Sequence, residues 1–158
     1  MDTPQGDDFT LRPNQVFALS LPFPLVEAAE AMPVLRAVGR YLLTSYGLRT
    51  LSPDDTAYRG SYGGDPVQRD SGYHQGPVWS WLLGPYAEAV YRVTGDAERA
   101  LAWLRPCADH LADAGLGSIS EIFEGDPPYV PRGCIAQAWG VAETLRVWRM
   151  LCREIAPA

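Results

Sequence analysis

The chain has 158 residues, of which 47% are hydrophobic and 20% are charged, and its formal net charge at pH 7 is −6. This length and composition indicate one folded unit over residues 1–158 and exclude an intrinsically disordered chain. The acidic balance, without any basic cluster, argues against a nucleic-acid partner. No apolar run approaches the roughly 18 residues that cross a membrane, so no membrane partner is expected.

The N-terminal segment, residues 1–10, is predicted to be irregular, and irregular structure is expected to continue to about residue 15. It is polar and acidic, and it lacks the basic and apolar regions of a signal peptide. The three cysteines, Cys107, Cys134 and Cys152, are scattered along the chain and show neither a disulfide framework nor a zinc spacing. We therefore predict a cytoplasmic protein.

Apolar residues at helical spacing predict five helices, over residues 15–21, 25–44, 76–94, 97–114 and 135–155. Pro33 is tolerable if the second helix starts near residue 31, and Pro85 predicts a kink or break in the third. Gly95 and Asp96 are typical of a turn and helix cap, which would make the third and fourth helices an antiparallel hairpin. The last helix is expected to turn inward the side chains of Trp139, Ala142, Leu145, Trp148 and either Leu151 or Cys152.

Two long connections, residues 46–75 and 117–134, precede helix N-termini and would therefore lie at the same end of a helical array. A structureless loop of about thirty residues is rare in a compact domain unless it is functional or disordered. The first connection is rich in Tyr, Arg and Asp, which favours an ordered loop with short strands. The abundant aromatic residues either pack in the core or stack on sugar rings. The sequence thus predicts an all-α protein whose two long loops form an active face.

Five blocks of the sequence resemble one known family. They are residues 11–22 (LRPNQVFALSLP), 46–52 (YGLRTLS), 69–79 (RDSGYHQGPVW), 120–125 (SEIFEG) and 131–139 (PRGCIAQAW). In this order they are similar to the C-terminal, amylo-α-1,6-glucosidase domain of glycogen debranching enzymes. The resemblance extends over about residues 10–153.

The resemblance implies a partial (α/α)6 toroid of helical hairpins and an inverting hydrolysis of α-1,6-linked glucose at branch points. An α-glucan such as glycogen or a limit dextrin would be the partner, and no cofactor is implied. The family barrel has twelve helices and this sequence predicts about five. We therefore expect the C-terminal part of that domain, completed by self-association or by a partner chain.

An inverting glycosidase needs two carboxyl groups, one to protonate the leaving oxygen and one to activate water. By the family motif, Glu121 matches the general base, and it lies in a loop beside Phe123 and Tyr129. Only Asp2, Asp7 and Asp8 precede the first block, and none lies in a recognisable motif, so no general acid is assigned. The chain therefore reads as a glycoside hydrolase fragment, or alternatively as a non-catalytic remnant that binds α-glucan or serves in assembly.

The predicted substrate-binding residues lie in the third and fifth blocks: Arg69, Asp70, Tyr73, His74, Gln75, Trp79 and Gln137. His74 either hydrogen-bonds a glucose hydroxyl or contacts a loop carbonyl, and Gln137 could orient Glu121. On a helix Trp79 and Trp81 would point in different directions, so Trp79 is assigned to the sugar and Trp81 to the core. Arg49 and Arg132 are assigned to holding the loops.

The second histidine, His110, is predicted to lie on a helix and face solvent. Neither His74 nor His110 has a His or Cys partner at metal-binding spacing, and no metal site is expected.

Overall fold

The structure, a computed structural model, describes residues 2–3, 6–23, 25–114 and 116–156. Its regular structure is mostly helical, as predicted. The helices are α1 Phe17–Ser20, α2 Ala28–Tyr41, α3 Pro66–Gly72, α4 Leu83–Thr94, α5 Ala97–Ala102, α6 Arg105–His110 and α7 Ala138–Ile155. Short 3₁₀ turns, Pro13–Val16 and Ser80–Leu82, lead into α1 and α4. None of the described helices is both long and apolar enough to cross a membrane.

Two small antiparallel sheets accompany the helices, so the all-α prediction was incomplete. The first pairs β1 Asp2–Thr3 with β2 Gly6–Asp7, inside the segment predicted to be irregular. The second consists of β3 Leu48–Arg49, β4 Val78–Trp79, β5 Ile122–Phe123 and β6 Pro131–Arg132, in that order. This sheet ties the two long connections together: β3 comes from the first, β5 and β6 come from the second, and β4 lies between them.

The helix predicted over residues 76–94 begins later than expected. Val78 and Trp79 are extended because they pair with Phe123 and Ile122 across the sheet. Helix α4 starts at Leu83, so Pro85 falls in its first turn, where a missing N–H costs no helical hydrogen bond, and no kink is needed.

Two other differences have identifiable local causes. The helix predicted over residues 97–114 is divided into α5 and α6, and Pro106 stands in the first turn of α6. Within the connection 46–75, α3 forms behind a capping box in which Asp65 accepts from the Gln68 backbone and the Gln68 side chain accepts from the Asp65 backbone. The sequence Asp-Pro-Val-Gln was a readable signal for this helix.

Helix α4 forms the centre of the core, and it contacts α1, α2, α5 and α7. The predicted turn after it is confirmed: Gly95 ends α4 in the left-handed region with φ of 72°, and the Asp96 carboxylate accepts from the N–H of Arg99 to cap α5. Glu88 on α4 is only 4% exposed, and its carboxylate pairs with Arg92 at 2.7 Å and with Arg146 of α7 at 2.8 Å. This ion pair network joins the two main core helices.

The buried face of α7 agrees only in part with the predicted one. Its buried residues are Gly140, Thr144, Val147 and Leu151, of which Leu151 was predicted. Trp139 is 49% exposed and Leu145 is 63% exposed, so the prediction that they point inward was wrong. Close approach to the 3₁₀ turn after β4 constrains the register, because a Cβ at Gly140 would lie only 2.7 Å from the hydroxyl oxygen of Ser80. A larger residue could not occupy that position without displacing Ser80.

Candidate active site

The small sheet fixes the main chain of Glu121 directly before β5. The Glu121 carbonyl accepts from the N–H of Ser80 at 3.4 Å, and its own N–H donates to the Cys134 carbonyl at 2.9 Å. The residue that carries the carboxylate is thereby held between β4 and the segment leading to α7.

Three donors from distant parts of the chain surround the Glu121 carboxylate. The hydroxyl of Tyr73 donates to Oε1. The backbone N–H of Cys134 donates to Oε2 at 2.8 Å. The side-chain amide of Gln137 approaches Oε1 at 3.5 Å, as expected for a residue that orients Glu121. Hydrogen bonds to a charged oxygen are the stronger class, so this arrangement limits the rotation of the carboxylate.

The Tyr73 phenol remains a donor at all ordinary pH values. Burial, followed by the hydrogen bond to the Glu121 carboxylate, raises its pKa above the usual value of 10. Among the described contacts, Oε2 accepts only from Cys134, so it retains a lone pair on the side away from Tyr73. Oε2 is thus the oxygen that is able to accept a proton from a water molecule.

Gly133 packs directly against this oxygen. Its φ is +66°, a left-handed conformation that L side chains rarely adopt. A Cβ at this position would collide with Oε2 of Glu121. Glycine is therefore required here both by the backbone and by the carboxylate.

Aromatic rings form one wall of the site. The Tyr73 ring lies 5.5 Å from Tyr62, 5.0 Å from His74 and 4.8 Å from Trp79, and the His74 ring stacks on Trp79 at 5.3 Å. Trp79 is only 8% exposed, and its indole N–H donates to the Tyr73 carbonyl at 3.3 Å. Only a narrow part of Trp79 can meet a ligand, whereas His74 is exposed. The main effect of Trp79 is to support the two rings that cover it.

An open depression of about 420 Å³ adjoins this wall. It is lined by Arg59, Ser61, Tyr62, Gly63, Gly64, Gln68 and Gly72, from the first long connection and α3. Tyr62 belongs both to the depression and to the ring cluster around Tyr73. The site therefore opens toward the connection that was predicted to form part of the active face.

Three of the predicted binding residues do not gather at the Glu121 carboxylate. The Gln75 side-chain oxygen accepts instead from Arg12 at 3.1 Å. Arg69 donates to the Gly64 carbonyl at 2.7 Å, which holds the rim of the depression, and Asp70 lies exposed on α3.

Arg12 is a residue whose position the sequence did not reveal. It donates to the carbonyls of Thr50 at 3.0 Å and His74 at 2.7 Å, in addition to Gln75. It therefore fixes the chain on which Tyr73 and His74 lie. The signal for Arg12 in the sequence was its place in the first of the five blocks that resemble the family.

The carboxylates that follow Glu121 in the sequence are engaged elsewhere. Glu124 pairs with Arg132 at 2.9 Å, and Asp126 accepts from the Tyr58 hydroxyl at 2.9 Å. Arg49 donates to the Gly125 carbonyl at 2.7 Å, so both arginines hold the loop as predicted. Neither Glu124 nor Asp126 is free to act as a proton donor beside Glu121.

His110 contradicts the prediction that it faces solvent. It is 1% exposed, and its Nε2 atom lies 3.0 Å from the hydroxyl oxygen of Ser120. His110 lies three residues after Cys107, which is also buried, on the side of α6 that faces the core. The sequence therefore missed a buried polar residue directly behind the Glu121 segment.

Comparisons with known proteins agree on one family. The model of the family described as amylo-alpha-1,6-glucosidase matches residues 1–146. The glycogen debranching enzyme of Saccharomyces cerevisiae is 32% identical over 91 residues, which cover 54% of this chain and 6% of that protein. The chain thus matches a small portion of a much longer relative.

Proposed function

Because the chain belongs to the amylo-alpha-1,6-glucosidase family, we propose that it forms part of an α-1,6-glucosidase site in which Glu121 is the general base. The supporting observation is the set of donors around the carboxylate: Tyr73 and Gln137 on Oε1 and Cys134 on Oε2. They fix the carboxylate and leave a lone pair on Oε2 for a water molecule.

In the proposed reaction, Glu121 removes a proton from water as the water attacks the anomeric carbon of an α-1,6-linked glucose at a branch point. Attack from the face opposite the leaving oxygen inverts the configuration. A second carboxyl group, about 6.5–9.5 Å from Glu121, must protonate that oxygen. Since Glu124 and Asp126 are engaged by Arg132 and Tyr58, we assign the acid to another polypeptide segment or a partner chain.

We place the glucose in the depression beside Tyr62, against the rings of Tyr73 and His74. The exposed imidazole of His74 then serves glucose hydroxyls. Arg69 holds the rim of the depression through the Gly64 carbonyl, and Asp70 lies exposed next to it on α3. The helices would belong to an (α/α)6 toroid that other helices complete. All three cysteines are free thiols, which suits a reducing cytoplasm and a role in glycogen breakdown.

The second candidate function is a non-catalytic glucan-binding or assembly module. The exposed apolar side chains of Trp139 and Leu145 on α7 favour it, because such a surface is more often covered by protein than by water.

Glucose release from a branched limit dextrin distinguishes the two functions, and it is measured on the chain together with the segment or partner chain that supplies the acid. In that assembly we expect Glu121→Gln to reduce the rate by roughly 10²–10⁴-fold, the usual range for loss of a general base. Glu98→Gln, an exposed change on α5, is the matched control and should keep the full rate. Equal, measurable rates for Glu121→Gln and the wild type would overturn the catalytic proposal. A chain that binds the dextrin but releases no glucose even in that assembly would support the second candidate.

A further inference from the structure

The side chain of His110 is enclosed behind the Glu121 loop. Its ring lies 5.0 Å from Phe123 in an edge-on arrangement and 5.6 Å from Tyr46, and these two aromatic rings stack on each other at 4.6 Å. Phe123 belongs to β5, two residues after Glu121. A ring that is 1% exposed and bounded by aromatic faces has one polar direction left for Nε2, and that direction leads to Ser120.

Two groups of Ser120 meet this nitrogen. The Ser120 hydroxyl lies 3.0 Å from Nε2, and the Ser120 backbone N–H points to the same atom at 3.4 Å. A backbone N–H can only donate, so Nε2 is the acceptor and the neutral ring carries its proton on Nδ1.

Ser80 holds the opposite side of the same peptide segment. Its fully buried hydroxyl lies 2.8 Å from the Ser120 carbonyl and 3.2 Å from the Glu121 carbonyl. The N–H of Ser120 is therefore held by His110 of α6, and the carbonyls of residues 120 and 121 are held by Ser80 in the turn after β4. None of these contacts involves the side-chain carboxylate of Glu121.

We propose that His110 is a positioning residue for Glu121, acting through Ser120, and that protonation of its ring releases the segment. The proposal rests on the role of Glu121 given above. A protonated imidazole carries N–H at both nitrogens. The N–H on Nε2 would then oppose the backbone N–H of Ser120, and two donors cannot form a hydrogen bond. The peptide must then move, and the carboxylate moves with it.

The groups around the His110 ring determine the pH at which it is protonated. Asp113 Oδ2 lies 3.7 Å from Nδ1, beyond hydrogen-bond distance, and among the described residues Nδ1 has no hydrogen-bond partner. The other titratable side chain against the ring is Tyr46. Burial lowers the pKa of His110 below 6.5, and the Asp113 carboxylate opposes this shift. Neutral His110 is thus the form present near pH 7.

Nuclear magnetic resonance on the ¹⁵N-labelled chain tests the proposal without an activity assay. The Cys134 amide reports the carboxylate position because it donates to Oε2 of Glu121. On acidification from pH 7.5, we expect the Cys134 and Ser120 amide shifts to change with the same midpoint as the His110 ring. In Asp113→Asn, which removes the opposing carboxylate, both midpoints should move together to lower pH.

Two substitutions separate positioning from simple burial. In His110→Gln the side-chain amide oxygen can still accept from Ser120, but it does not titrate. The amide shift of Cys134 should therefore lose its pH-dependent transition. The protection of that amide from hydrogen exchange should stay within about threefold of wild type. In His110→Leu the acceptor is gone, and protection of the Cys134 amide from hydrogen exchange should fall by roughly tenfold, the equivalent of one ordinary hydrogen bond.

A Cys134 amide that ignores the His110 titration would overturn the proposal, as would a folded His110→Leu chain with wild-type protection. If His110→Leu does not fold, the wild-type and Asp113→Asn titrations decide. The outcome is independent of the glucosidase assay: unchanged hydrolysis by Glu121→Gln would remove the catalytic role but would leave the amide measurements as they are.

Discussion

The hydroxyl of Tyr73 donates a hydrogen bond to Oε1 of Glu121, a carboxylate that lies 48 residues further along the chain. The two residues come from different long connections, and the sheet of β3, β4, β5 and β6 brings these connections together. This contact joins two of the sequence blocks that carry the family resemblance.

Tyr73→Phe removes this donor and keeps the ring. A hydrogen bond to a charged group contributes about 1.5–3 kcal/mol, so we expect glucose release from limit dextrin to fall by roughly 10–100-fold if the whole effect is on the carboxylate. Tyr91→Phe is the control, because it removes the same kind of hydrogen bond, from a tyrosine hydroxyl to the Glu154 carboxylate, outside the site, and it should remain close to wild type. Equal losses in both variants would show that the contact between Tyr73 and Glu121 is not the cause.

Gly133→Ala should abolish glucose release, because its Cβ would collide with Oε2 of Glu121. The left-handed backbone also strains the alanine, at a cost of about 1–2 kcal/mol of unfolding free energy. Gly95→Ala is a matched control, since Gly95 has φ of +72° and nothing within 4 Å of the added Cβ. By urea unfolding we expect Gly95→Ala to show the backbone cost alone and Gly133→Ala to lose at least as much stability, with activity lost only in Gly133→Ala. Full activity in Gly133→Ala would refute the close packing of Gly133 against the Glu121 carboxylate.

The stability of the chain should depend on the protonation of His110. Its folded pKa lies below the ordinary value of 6.5, so the unfolded chain binds the proton more readily. The unfolding free energy contributed by this group is complete above pH 6.5 and is lost as the pH falls toward the folded pKa. Urea unfolding of the wild type and His110→Gln should therefore converge between pH 7.5 and pH 5. Unfolding free energies of the two chains that change with pH in parallel would contradict a lowered pKa of His110 in the folded chain.

Glu88→Gln should destabilise the contact between α4 and α7. The carboxylate is 4% exposed and accepts from Arg92 and Arg146, so its neutralisation weakens two charge-assisted contacts. Because both arginines are partly exposed, we expect a loss of about 1–3 kcal/mol, below the range for fully buried pairs. Glu143→Gln, which also contacts Arg146 but is less buried, should lose less. A larger loss of unfolding free energy in Glu143→Gln would show that the pair of Glu143 and Arg146 within α7, and not the contact between α4 and α7, carries the stabilisation.

The apolar side chains on the outer face of α7 should cause self-association. We expect light scattering at micromolar concentration to give a mass above the 17.3 kDa of one chain. Leu145→Glu should shift the mass toward a monomer, because Leu145 is 63% exposed. Val67→Glu makes the same kind of change at a 76% exposed apolar residue on α3, and it should have no effect. A monomeric wild type would exclude this interface.

The sequence by itself determined the helical character and the turn at Gly95 and Asp96. It also singled out Glu121, Tyr73 and Gln137 as candidates, and the structure brings these three side chains together. Helical spacing, caps and motif blocks are local properties, and they can be read without knowing the fold. Even α3 could have been found locally from the capping box of Asp65 and Gln68.

Only the tertiary structure decided the sheet, the inward face of α7 and the surroundings of Glu121. Strands of two residues are too short to show a period, so β4 was read as helix until its pairing with β5 was known. The register of α7 depends on how closely Gly140 approaches Ser80, and His110 is buried by its packing against Phe123 and Tyr46. Hydrogen-bond partners that lie 10 to 48 residues apart leave no spacing in the sequence, because only folding brings them within reach.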